Sequence, residues 1–92
     1  MATKQFIVRG RVQGVGFRWF VEREAGMLGL AGWVRNNDDG TVEVLASGSD
    51  EQLESLREKL KQGPRAARVD SMEEHAAEAS DQLKNFSIHG AW

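Results

Sequence analysis

Gly10-Arg11-Val12-Gln13-Gly14-Val15-Gly16-Phe17-Arg18 joins a short alternating segment to a helical one. Upstream, Phe6 and Val8 alternate with Gln5, Ile7 and Arg9, the period of a strand. Downstream, Trp19 to Leu28 reads as a helix. Between them, Gly14 and Gly16 allow backbone angles that turn successive N–H groups into one concavity, and such a nest binds anions. The start of the following helix adds the positive end of its dipole at the same place. Arg18 supplies a planar, permanently charged fork matched to phosphate oxygens. Strand, glycine loop and helix start together read as a phosphate cradle.

The rest of the chain supplies the frame. The first strand covers about Gln5 to Val12, and Phe20 or Val21, Ala25 and Leu28 lie at helical spacing before Gly29 ends the helix. Leu30 to Asn36 and Thr41 to Ser47 read as strands joined by Asn37-Asp38-Asp39-Gly40, where Asp-Gly between β-rich runs signals a hairpin. Ser49 with Gln52 forms a capping box opening a second helix, on which Leu53, Leu56 and Leu60 make an apolar stripe that Gly63-Pro64 stops. Arg68 to His75 is expected as a fourth strand, Ala76 to Gln82 as a turn, and Leu83 to His89 as a further strand bearing Phe86 and Ile88. The order β-α-β-β-α-β predicts an α+β, ferredoxin-like sandwich: one antiparallel sheet with two helices on one face.

The residues 10–18, together with Gly32-Trp33-Val34-Arg35-Asn36 and Gly40-Thr41-Val42, resemble the acylphosphatases, small enzymes that hydrolyse the carboxyl–phosphate bond of acyl phosphates. The resemblance runs over nearly the whole chain and weakens from about Glu73 to Trp92. It implies the ferredoxin-like fold, an acyl phosphate substrate and no cofactor or metal. It further implies that Arg18 binds the phosphoryl group, that Asn36 orients the attacking water, and that Gln13, Gly14, Val15, Gly16 and Phe17 contribute backbone N–H groups. The side chains of these five are expected to matter less, although Phe17 should pack under the loop; some relatives carry another small residue at the position of Gly16. Plainer readings stand beside these. An arginine at a helix start opposes the dipole and is often incidental, and an asparagine before a hairpin loop is ordinary turn chemistry, as for Asn37.

What is missing narrows the chemistry. No cysteine is present, so there is no thiolate nucleophile and no disulfide. The Walker pattern is absent, Asp38 and Asp39 read as turn residues, and His75 and His89 stand isolated, so neither Mg²⁺ nor another metal is expected. An acyl phosphate suits such a site. Its leaving carboxylate has a conjugate acid of pKa about 4 and departs without a protonating residue.

Ninety-two residues predict a single domain over residues 1–92, and 40% hydrophobic with 28% charged residues is ordinary for a globular protein. No apolar run approaches a membrane span, and no apolar signal region precedes the first strand, so a cytoplasmic monomer is expected. A net charge of −2 without a basic stripe argues against nucleic acid, with Arg65 and Arg68 in a solvated loop and positive potential focused at Arg18, Arg9, Arg11 and Arg35. Trp33 is expected to pack in the core; for Trp19, next to Arg18 at the helix start, bordering the substrate's acyl group is the lesser of two readings. The competing reading is an anion- or carbamoyl-phosphate-binding ferredoxin-like module without strong hydrolase activity; acylphosphatase-like domains occur inside hydrogenase-maturation proteins that handle carbamoyl phosphate. Fold alone does not decide between them.

Overall fold

The computed structural model describes residues 1–78 and 83–90. Its elements are β1 (Ala2–Arg11), α1 (Phe17–Met27), β2 (Ala31–Asn36), β3 (Val42–Gly48), α2 (Asp50–Gln62), β4 (Arg68–Ala76) and β5 (Phe86–Ile88). They form a five-stranded sheet in the order β4-β1-β3-β2-β5. The antiparallel sheet expected from the sequence spans β4, β1, β3 and β2, while β5 joins β2 in parallel and makes the whole sheet mixed. This is the ferredoxin-like α+β fold.

Strand parity divides the sheet into two faces. Phe6, Val8, Val34, Val42, Val44 and Ala46 lie on one face and are at most 1% exposed. They meet Phe17, Val21 and Ala25 of α1 and Leu53, Leu56 and Leu60 of α2 in one apolar cluster. The apolar stripe on α2 is therefore core. The opposite face carries Gln5, Ile7, Trp33, Arg35, Glu43 and Leu45, paired across strands as Gln5 with Leu45, Ile7 with Glu43 and Trp33 with Leu45.

Local chemistry sets the element ends. α1 starts at Phe17, two residues before the expected Trp19, because Gly16 caps it in the left-handed conformation at φ 79° and ψ 17°. Arg18 thus belongs to the first helical turn. At the other end, the Gly29 amide donates to Gly26 O at 3.1 Å and the Leu30 amide to Ala25 O at 3.0 Å, closing the helix with a Schellman pattern. The capping box of α2 has both halves: the Gln52 amide donates to Ser49 Oγ at 3.1 Å and the Ser49 amide to Gln52 Oε1 at 2.7 Å. Gln52 Nε2 then reaches Leu28 O at 2.7 Å and ties the start of α2 to the end of α1. Between the helices, Glu24, 8% exposed, meets Lys59 of α2 at 3.5 Å.

Two strands start three residues away from their expected bounds, while β2, β3 and β4 shift by a single residue. β1 begins at Ala2 rather than Gln5, since Thr3 pairs with Ser47 and their hydroxyls are hydrogen-bonded at 3.0 Å. β5 covers Phe86–Ile88 rather than Leu83–His89. Residues 79–82 of the expected turn, and the terminal Trp92, lie outside the described residues.

Candidate active site

The loop from Gln13 to Gly16 leaves β1 and enters α1, so the sheet edge, the loop and the helix start converge. Gly14 at φ 74° and Gly16 at φ 79° hold the left-handed angles that turn the backbone here. Among the described residues, no carbonyl or side chain accepts a hydrogen bond from the backbone N–H of Gln13, Gly14, Val15, Gly16 or Phe17. Such amides can donate to an anion, and no acidic side chain occupies the first turn of α1 to compete with one. Phe17 is 1% exposed and packs beneath the loop in the core.

Asn36 closes the site from the sheet. As the last residue of β2 it follows the parity of Val34 and lies on the helix-facing side, just past the apolar core. Its Oδ1 is buried and accepts no hydrogen bond among the described residues. A buried acceptor without a donor is costly, and a water or ligand donor would relieve it. Val12, Gly14, Gly16, Phe17, Arg18, Trp19 and Asn36 enclose a cleft of about 160 Å³. Pockets for drug-sized ligands run to roughly 300–1,000 Å³, so this one suits a group of a few heavy atoms, such as a phosphoryl group.

The Gln13 side chain does more than the sequence led us to expect. Its Nε2 donates to Asn37 O at 2.8 Å and to Thr41 O at 2.9 Å. The glycine loop is thereby tied to the β2–β3 turn, the segment next to Asn36. The turn is braced within itself. Thr41 donates from its amide (3.0 Å) and its hydroxyl (2.6 Å) to Asp39 Oδ1. The hydroxyl bond, then the amide bond, hold the Asp39 carboxyl below its usual range. Asn37 Nδ2 donates to Thr41 Oγ1 at 3.0 Å.

Two of the arginines expected to share potential with Arg18 stand elsewhere. Arg35 lies on the face opposite Asn36 and binds Glu43 at 2.9 Å, and Arg9 binds Glu73 at 2.7 Å. Trp33, expected in the core, is likewise on that outer face, with the Arg35 guanidinium 4.9 Å from its ring centre and His89 stacked at 5.6 Å. Alternation along β2 carried this signal, since residues 33 and 35 must face away from 34 and 36. Arg65 and Arg68 are exposed, Arg68 beside Asp70 at 2.9 Å. Among the described residues no three His, Asp or Glu side chains gather as a metal site, and no helix is long and apolar enough to cross a membrane.

The family model for acylphosphatases matches residues 4–88. The chain belongs to the acylphosphatase family. It is 59% identical over 90 residues to an acylphosphatase of Koribacter versatilis, an alignment covering 98% of this chain and 82% of that one. Its fold superposes on the acylphosphatase crystal structure from Bacillus subtilis with a TM-score of 0.93 at 43% identity, covering 98% of this chain and 100% of the other. A segment of HypF from T. kodakarensis is also similar, with a TM-score of 0.86 and 33% identity over 99% of this chain but only 12% of that protein. Membership of the acylphosphatase family makes the chain a hydrolase.

Proposed function

We propose that the cleft hydrolyses acyl phosphates to a carboxylate and inorganic phosphate by direct attack of water on phosphorus. The reading is supported above all by the buried acceptor of Asn36 in the wall of a phosphoryl-sized cleft that Gly14 and Gly16 of the loop also line. Arg18 and the amides of Gln13, Gly14, Val15, Gly16 and Phe17 hold the phosphoryl oxygens, which carry the charge through a loose transition state. Asn36 Oδ1 accepts a hydrogen bond from water and holds it in line with the departing carboxylate. The carboxylate leaves unprotonated, and the substrate's own phosphoryl oxygen takes the proton of the water. No titrating side chain is required, and the full chain, residues 1–92, acts as one unit without a cofactor.

The test is benzoyl phosphate hydrolysis in metal-free buffer with EDTA by the wild type, Arg18→Ala and Asn36→Ala. Loss of a charge-stabilising donor at such a site costs about a hundredfold or more in kcat, and that loss is expected of both folded variants. Undiminished turnover in either variant contradicts its assigned role. Because the site lacks a general acid, p-nitrophenyl phosphate should turn over far more slowly than benzoyl phosphate; equal rates contradict the mechanism.

The similarity to a segment of HypF favours one second reading, in which the cleft binds carbamoyl phosphate or another phosphate-bearing anion without rapid turnover. Phosphate binding by a folded wild type that leaves benzoyl phosphate intact would select it.

A further inference from the structure

The phosphoryl-sized cleft leaves the rest of the substrate to lie outside it. At about 160 Å³ it holds the phosphoryl group, and the acyl chain must leave through its mouth. Gly16 and Trp19 form part of its wall and also border a second, shallower groove of about 360 Å³, completed by Phe20, Glu22, Arg23 and Pro64. Trp19 is therefore the ridge between the two hollows. It is 68% exposed in the first turn of α1, while Phe17 and Val21 of the same helix are buried and Met27 at its far end is 70% exposed. A lone exposed tryptophan requires no explanation, but this one stands where the substrate must pass.

The direction of the groove fits the reaction. Asn36 lines the cleft and not the groove. In-line displacement sends the leaving group away from the attacking water, so water held at Asn36 drives the carboxylate outward past Gly16 and Trp19. The surfaces that meet it there are an indole, the Phe20 ring and the Pro64 ring. Phe20 is half-buried and fixed by the neighbouring Phe17 ring at 6.1 Å. Arg23, held to Glu24 at 3.3 Å, offers its carbon stem to the groove, and the charged heads of Arg23 and Glu22 stand at its border.

We propose that Trp19 is a specificity residue, and that the groove beside it takes aromatic or other flat apolar acyl groups in preference to small ones. The inference rests on the reading of the cleft as a phosphoryl site. An aromatic acyl group against an indole gains about three- to tenfold in binding over an acyl group too small to reach it.

The test compares kcat/KM for benzoyl phosphate and acetyl phosphate in the wild type, Trp19→Ala and Trp19→Phe. The wild type is expected to favour benzoyl phosphate, Trp19→Ala to lower the benzoyl-to-acetyl ratio by about three- to tenfold, mostly through KM, and Trp19→Phe to restore much of it. A ratio unchanged in Trp19→Ala, with both substrates still hydrolysed or both falling together, overturns the proposal and leaves the phosphoryl reading standing. A folded wild type that hydrolyses neither substrate overturns both.

Discussion

At the scale of single residues, Gln13 couples the two halves of the site. Its amide side chain spans from the glycine loop to the carbonyls of Asn37 and Thr41, so the loop and the strand end bearing Asn36 hold a fixed separation. Gln13→Ala removes two hydrogen bonds and leaves two carbonyls to find water. A stability loss of about 1–2 kcal/mol is expected in urea unfolding. A drop in kcat larger than the change in KM is also expected, because the attacking water loses its register. A variant with kcat intact would show that the clamp only stabilises the fold. At Gly16, by contrast, an added Cβ would meet nothing within 4 Å, so the left-handed φ of 79° is the whole cost. Gly16→Ala should lose about 1–2 kcal/mol and still fold, as thermal denaturation can show. The glycines, Arg18 and Asn36 were legible in the chain because their motif carries them. The Gln13 clamp was not, because its partners lie 24 and 28 residues away and are backbone atoms that sequence does not mark.

At the scale of elements, legibility followed how local each cause is. Ser49 and Gln52 lie three residues apart, so the capping box could be read directly, and both of its hydrogen bonds form. The reach of Gln52 on to Leu28 O depends on how the helices pack and could not. Ser49→Ala is expected to cost about 1 kcal/mol, whereas Gln52→Ala breaks the cap and the inter-helix tie together and should cost more. Chemical denaturation of the two variants measures the difference, and equal losses would mean that the tie to Leu28 contributes nothing. β5 was the least legible element. It is three residues long, none of them fully buried, and its partner β2 lies more than fifty residues upstream in parallel register. No alternation of useful length survives in so short a strand.

At the scale of the molecule, the sheet separates two kinds of chemistry. The helix side ends in the cleft; the outer side carries paired charges such as Arg35 with Glu43 and Arg9 with Glu73. A sum over sequence neighbours places Arg9 and Arg35 near Arg18, but the pleat and the carboxylates opposite them assign both to the outer face. Those pairs also set the response to acid. Burial alone pushes the Glu43 carboxyl up, but hydrogen bonds from Gln5 and Arg35 and the charge of Arg35 together bring it below its ordinary 4.5. The hydrogen bond from Arg57 of α2, opposed by burial and helped by the Arg57 charge, likewise lowers Glu74 from 4.5. A carboxylate depressed in the folded state adds stability above its unfolded pKa and loses it as pH falls through the folded value. Stability should therefore hold from neutrality down to about pH 4.5 and decline below it. Glu74→Gln should cost about 0.5–1 kcal/mol at pH 7 and less at pH 3, since the pair, its side chains 29% and 25% exposed, is partly screened by water. A cost that is the same at both pH values contradicts the ion-pair account.

The central claim is that water attacks phosphorus while the carboxylate leaves with its own oxygens. Hydrolysis of benzoyl phosphate by the wild type in ¹⁸O-labelled water, followed by mass spectrometry of both products, addresses it most directly. The account predicts one labelled oxygen in the inorganic phosphate and none in the benzoate. Label in the benzoate would mean attack at the carbonyl carbon, and the cleft formed by Arg18, the loop amides and Asn36 would then hold a leaving group rather than the reacting centre.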